Sequence, residues 1–417
     1  PVTLTTGDVT FAAGSTLAIA IDTDGTAAAL QSTGTVELQG GTVSVDVDDY
    51  FVDTAFTIVT ADKVDGTFAD VSGSTTFIGY VLGYDKTTIT LTQTVKQSFA
   101  SVGASANQIA LGAALDSLPT THTVVQHAYG AMSEAEARAI YDSLSGEVHA
   151  SLSGALMNNG RDISAAVSRR LASADHRFGP EPQGSEDDVT AMPNGVWAAG
   201  FGGWNHIGAT GNTASADNDY GGIVGGFDRR INETFRLGLF GAYAHTDLSQ
   251  ASRSASADAD SVSAGLYGSA VHGPLFAGFG GLGSWHDIAS RRTVPVRGTA
   301  QRLTADYDAT SFQLFGEAGY RIEQQRLNVE PFGGRSFMQL YTDGFSESGG
   351  SAALTAASNE ESTLFTTLGL RAGWQVTEMV RAYGSAGWRH AFGDVDPDTT
   401  FTLAGSSPFS IAGAPIA

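Results

Sequence analysis

From about Gly195 onward the chain alternates small or apolar residues with polar ones, and the alternating stretches are joined by short and long connections in turn. The short ones are Ile231-Asn232-Glu233, His272-Gly273-Pro274, Glu323-Gln324-Gln325 and Val376-Thr377-Glu378. The long ones, roughly 206–218, 248–259, 289–304 and 342–361, are rich in Gly, Ser, Asp and Asn. Period-two alternation gives a strand two faces of opposite character. Tight turns at one end and long polar connections at the other describe an up-and-down antiparallel sheet of the kind that closes within an outer membrane. A soluble sandwich has no reason to keep its two ends so different.

Composition fits this reading. The chain of 417 residues has 52 Gly and only 16% charged residues, which leaves room for two or three domains. No apolar run approaches the ~18 residues of a helical membrane span. Barrel strands hide their membrane character because lipid-facing and lumen-facing residues average out. Cysteine is absent, which suits a chain that crosses a pore unfolded. Charge is uneven. All three lysines (Lys63, Lys86, Lys96) precede residue 97 and every arginine follows it. The acidic first segment argues against a nucleic-acid partner. With Pro1 and no signal sequence at its start, the chain reads as a fragment without its targeting segment.

Residues 1–95 read as β throughout, with alternation in Leu17–Ile21, Val43–Val47 and Thr88–Leu91. Thr6-Gly7-Asp8-Val9-Thr10-Phe11 recurs as Thr33-Gly34-Thr35-Val36-Glu37-Leu38, a period that predicts stacked solenoid rungs over an ordinary antiparallel sheet. Residues 96–178 switch to helical spacing. Ser133 and Glu136 form a capping box. Ile140, Leu144, Val148, Leu152 and Leu156, then Ile163, Val167 and Leu171, recur on one face, opposite Ser145, Gly146, Ser151, Ser153 and Gly154. A single helix over 147–177 would be about 45 Å long, and it is too polar to touch lipid. It is expected to cross the membrane inside a pore; a soluble helical hairpin against the β segment is the alternative. Residues 179–194 read as a linker.

The remainder, 195–417, contains nine clear strands and a tenth starting near Thr399. Their polar faces predict a lumen lined by Arg236, Glu317, Arg321, Glu330, Arg371, Arg381 and Arg389. Trp197, Trp204, Trp285, Tyr341, Trp374 and Trp388 lie near strand ends, as an aromatic membrane girdle requires. In a soluble barrel the two faces would exchange roles.

The order of parts resembles the C-terminal portion of an autotransporter (type V secretion). Phe56–Ala61, Gly66-Thr67-Phe68 and Tyr84–Leu91 look like closing rungs of a β-helical passenger. Ser133–Arg138 with Leu144–Ser151 is similar to the family's pre-barrel helix. Gly195-Val196-Trp197 to Gly202-Gly203-Trp204, Trp285-His286-Asp287, Phe315–Tyr320, Glu330-Pro331-Phe332 and Gly387–Asp394 resemble its barrel strands. The resemblance implies a mainly β fold: a twelve-stranded transmembrane antiparallel barrel with a pore-threading helix, preceded by the end of a right-handed β-helix. It also implies an outer-membrane translocator that anchors and exports its own N-terminal passenger to the surface of a Gram-negative cell. Expected partners are outer-membrane lipid, the assembly machinery, periplasmic chaperones and the passenger. The sequence stops at Ala412–Ala417 without the family's last two strands, which reads as a truncation of the sequence.

Asn158-Asn159-Gly160 lies in the predicted pore helix. One autotransporter subfamily frees its passenger between two consecutive pore asparagines, by cyclisation of the first side chain onto its own carbonyl. Asn158 would then be the attacker, with Glu317 or Glu330 as activators; a helix break at Gly160 or slow deamidation are the plainer readings. Gly278-Phe279-Gly280-Gly281-Leu282-Gly283 sits in a strand with no following helix, so it is no nucleotide loop. Asp46, Asp48 and Asp49 read as a solvated solenoid edge in preference to a Ca²⁺ site. The nine histidines show no metal-ligand or triad spacing; His149 and His390 read as structural. No cofactor, metal or catalytic site is expected. Alternative functions are a surface adhesin, an upstream passenger enzyme (protease or esterase) carried by this barrel, and a diffusive porin, which the plug helix disfavours.

Overall fold

The computed structural model describes residues 2–174, 195–324, 326–377 and 380–416, with backbone alone at Arg381 and Tyr383. The first segment is a three-sided stack of parallel strands. One side pairs Thr3–Thr6, Ala29–Ser32 and Ala55–Thr60, the next Val9–Phe11, Thr35–Gln39 and Lys63–Thr67, the third Thr16–Ile21, Thr42–Val47 and Asp70–Ser72. Partners such as Val9 and Val36, or Thr16 and Thr42, lie one repeat apart. Ile19, Ile21, Val36, Val43, Ile58 and Val59 fill the interior. A hairpin, Ile78–Tyr84 with Thr88–Val95, lies antiparallel on Ala55–Thr60 and covers that edge of the stack. Without such a cover the edge would leave a row of unpaired backbone groups.

Five helices follow: α1 Phe99–Val102, α2 Ala106–Asp116, α3 Thr123–Tyr129, α4 Glu134–Leu144 and α5 Glu147–Ala174. Ser98, Ser105 and Ser133 cap three of them by accepting from the amides of Ser101, Gln108 and Glu136. Glu136 reaches back to the Met132 amide, one residue earlier than a standard capping box would place it. The four-residue spacing of Ile140, Leu144 and Val148 runs through a real break. Gly146 sits at φ +69°, where a Cβ would meet Leu354 at 2.5 Å. The alternative of a helix break at Gly160 does not hold, since α5 runs unbroken for 28 residues, about 42 Å. Residues 175–177, expected in the same helix, lie outside the described residues.

Nine long strands then pair antiparallel in chain order: β1 Gly195–Ile207, β2 Ala216–Arg230, β3 Phe235–Gln250, β4 Ala255–His272, β5 Leu275–Val296, β6 Thr299–Tyr320, β7 Leu327–Thr342, β8 Asn359–Gln375 and β9 Arg381–Gly393. A short continuation, Ile322–Gln324, also pairs with β7. Among the described residues β1 and β9 are the margins of the sheet.

Two expectations change. The polar stretches 248–259 and 289–304 are mostly strand: β3 and β4 turn over at 251–254, and β5 and β6 over Arg297-Gly298. Alternation persists there, because Val294, Val296, Leu303 and Ala305 face a second core beyond the membrane belt, shared with α1–α4. The strand expected as the tenth of the barrel, Asp398–Leu403, does not join β9. The chain folds back, the Asp394 amide donates to Ser362, and Asp398–Leu403 joins Phe345–Ser346, Leu354–Ala356 and Phe409–Ala412 in a separate four-stranded sheet. Phe401, Leu403, Phe409 and Ile411 are buried there in that second core.

Candidate functional site

The sheet has an apolar outer face. Leu237, Leu239, Val262, Leu266, Phe279, Leu314, Leu368 and Leu370 are exposed on it. In aqueous surroundings such a patch would be far larger than a monomeric protein tolerates; lipid is its natural solvent. Trp204, Trp285, Tyr341, Trp374 and Trp388 point outward with it. Trp197 does not. Its indole N–H donates to the Tyr267 hydroxyl at 2.6 Å inside the sheet. Trp197 and Trp204 are an odd number of residues apart in one regular strand, so they face opposite sides.

The inner face holds α5, which runs from the long-connection end to the short-turn end. At the latter, Arg170 and Arg236 both pair with Asp228 at 2.7 Å, and Tyr267 donates to the same carboxylate at 2.7 Å. Above this, Ile163, Val167 and Leu171 pack on Val224, Phe240, Phe276 and Leu282. The lumen is therefore partly apolar at this level, where a polar, charge-paired wall with little apolar surface was expected. Midway, Asn159 donates to Thr246 at 3.1 Å and accepts from Asn218 at 3.2 Å, and Gln313 donates to Ser164 at 3.3 Å. Val148, Leu152 and Leu156 are buried at the far end of the helix.

That end is fixed by two ionic clusters the sequence did not reveal. Glu147 accepts from the Ala214 amide, Gln250 and Arg253 at 2.7, 2.9 and 3.4 Å. Glu347, from the connection after β7, takes a two-pronged contact from Arg292 at 2.7 and 2.6 Å, the Leu354 amide at 3.0 Å and His149 at 3.1 Å. The other ring nitrogen of His149 meets the Tyr307 hydroxyl at 3.0 Å. Burial alone would raise the Glu347 carboxyl, but the Arg292 charge and the hydrogen bonds more than reverse it and hold it below the usual range.

The residues predicted to line the lumen divide. Glu317 and Glu330 both pair with Arg371, at 2.7 and 2.9 Å, and the Arg371 guanidinium lies over the Phe332 ring at 3.9 Å. Arg389 lies over Phe365 at 5.4 Å. Arg371 and Arg389 share a cavity of about 700 Å³ with Arg161, Asp162, Arg169 and Glu317. Arg236 is part of the Asp228 cluster. Arg321 sits at the turn beyond β6, paired with Glu323 at 3.1 Å. The Arg381 side chain lies outside the described residues. Asn158 accepts from Arg161 at 3.1 Å within unbroken helix. Asp48 and Asp49 receive Arg297 from the β5–β6 tip. Among the described residues no cluster of His, Asp and Glu is arranged to hold a metal.

A family model, "Autotransporter beta-domain", matches residues 196–417. The chain belongs to that family, and its barrel resides in the Gram-negative outer membrane. Two curated relatives, each named extracellular serine protease, from Serratia marcescens, are 31% identical over 74% of this chain and 28% over 82%. The chain spans only 30% and 36% of their lengths. Among solved structures, the translocator domain of the autotransporter NalP from Neisseria meningitidis is similar at 17% identity and a TM-score of 0.43, covering 62% of this chain and 84% of that one.

Proposed function

We propose that this chain is the export end of a larger surface protein, with the barrel carrying the preceding passenger outward and anchoring it. The observation that carries the reading is the path of the chain. The solenoid and α1–α4 lie beyond the long-connection end, and α5 descends from there through the lumen toward the short turns. Everything before α5 is thus on the far side of the sheet. Rungs stacking outside would oppose return, because each new rung buries Ile and Val side chains only against its neighbour. Residues 1–95 would be the passenger's closing rungs, and insertion of nine strands into lipid would call on the assembly machinery and periplasmic chaperones.

The test is a peptide tag in the 22–27 turn, displayed on intact Gram-negative cells and probed with external protease. The expected result is accessible tag in cells whose barrel migrates as folded in unheated gel samples. A protected tag with a folded barrel would refute the proposal.

The two relatives named as extracellular serine proteases favour a protease as the upstream passenger. Serine-protease inhibitor labelling of the full-length surface protein tests this; no labelling refutes it. Asn158–Asn159 is the point at which in-pore cleavage would release the solenoid. Release abolished by Asn158→Ala would establish that role, and a single uncut species in the parent would exclude it.

A further inference from the structure

The outer face carries one feature that export does not use. Arg335 lies in β7 between Gly333 and Phe337, and strand parity sets it on the lipid side, since Ser336 turns inward to Gln313 at 2.8 Å. Its side chain is exposed, and it makes no ion pair or hydrogen bond among the described residues. Its register partners are Gly316 on one side and Thr366 on the other, and Thr366 in turn lies opposite His390. A cation is costly on a lipid-facing strand, most at mid-depth and least near the interface.

Arg335 lies near one end of a trench. A groove of about 670 Å³ crosses the outer face over Leu237, Leu266, Phe279, Leu314, Phe337 and Leu364, with Gly281 and Gly316 in its floor. A Cβ built on Gly316 would meet only the Gly278 carbonyl, at 3.5 Å, so the glycine leaves room and is not forced by close packing. From Leu237 in β3 to Arg335 in β7 it crosses four strand spacings, about 19 Å, comparable with an extended fatty acyl chain, and Leu364 of β8 lines it beyond. Its lining is almost wholly apolar. It begins at Leu237, close to the short β2–β3 turn, and runs across the sheet to Arg335 in β7.

We infer that this trench is a binding site for one phosphate-headed lipid, its acyl chain lying along Leu266, Phe279 and Leu314 and its phosphate on Arg335. Charge complementarity selects an anionic headgroup, since a guanidinium matches phosphate with two parallel hydrogen bonds. Thr366 and His390, next in the same row, extend the polar end.

The test uses the full chain folded in neutral detergent, with dimyristoyl phosphatidylglycerol titrated and bound lipid counted by native mass spectrometry. Phosphatidylcholine of the same chains and inorganic phosphate serve as comparison arms. One phosphatidylglycerol is expected to bind at least tenfold more tightly than phosphatidylcholine. Arg335→Gln should reduce it to the phosphatidylcholine level, and Gly316→Leu should weaken both by filling the floor. Inorganic phosphate should not displace the lipid. Equal phosphatidylglycerol binding in Arg335→Gln and parent overturns the inference, as does unchanged binding in Gly316→Leu or displacement by phosphate alone. Both substitutions lie on the outer surface, and the unheated gel shift reports their folding independently of export.

Discussion

The buried pair of Glu347 and Arg292 gives the sharpest test of how α5 is held. Both side chains are 1–2% exposed. Glu347→Ala removes four contacts at once: two from Arg292, one from the Leu354 amide and one from His149. It also leaves the guanidinium buried without its counter-charge. Breaking such a pair costs about 3–5 kcal/mol. Each 1.4 kcal/mol is about tenfold in an equilibrium, so local opening of residues 345–356 should rise about a hundredfold or more. Hydrogen exchange at the Glu347 and Leu354 amides reads this directly, since the two form part of one turn of hydrogen bonds. The double substitution Glu347→Leu with Arg292→Met should recover most of the loss, because apolar residues of similar volume replace buried pairs at little cost. A single-variant change below tenfold would refute the reasoning. So would a double variant as open as the single one.

Acid should loosen the same cluster. With its folded pKa depressed, Glu347 contributes stability that is fully present above the unfolded value and lost as pH falls toward the folded one, so protection at residue 347 should hold at pH 6 and decline progressively below about pH 4. His127 responds in the same direction at higher pH: burial lowers its pKa, and its Nδ1 accepts from the Arg297 amide at 3.3 Å. Its contribution is present above about pH 6.5 and lost below it, so exchange at Arg297 should rise in mild acid, and His127→Phe should remove that dependence. Gly66→Ala should destabilise the solenoid by about 1–3 kcal/mol, because Gly66 has φ +88° and a Cβ would lie 2.0 Å from the Leu38 carbonyl; an unchanged thermal melt contradicts this. Leu171→Ala should cost about 2–5 kcal/mol in anchoring of the helix end, seen as a larger conductance of the barrel in planar bilayers; unchanged conductance would place that end of α5 elsewhere.

Much of this was readable in the residues. Outer and inner faces of the strands follow from parity alone, as Leu368 and Leu370 against Thr367 and Arg371 show. Parity also contained the answer for Trp197, whose odd spacing from Trp204 puts it inside, and for Arg335, which shares a face with Phe337. Placing Trp197 in the girdle weighs residue type and nearness to a strand end above phase. The solenoid period was visible in one repeated hexapeptide because parallel stacking forces like residues into register.

What the sequence determined by itself is everything set by local periodicity: solenoid, helices, strand faces and the lipid-facing belt. Only the tertiary structure decided which charges meet. Glu347 finds Arg292 and His149, and Arg297 reaches Asp49, across separations of 55 to 248 residues. It also decided that Asp398–Leu403 leaves the barrel for a sheet of its own. Such choices depend on which surfaces come together once the strands curve around α5, and no repeat along the chain encodes that distance.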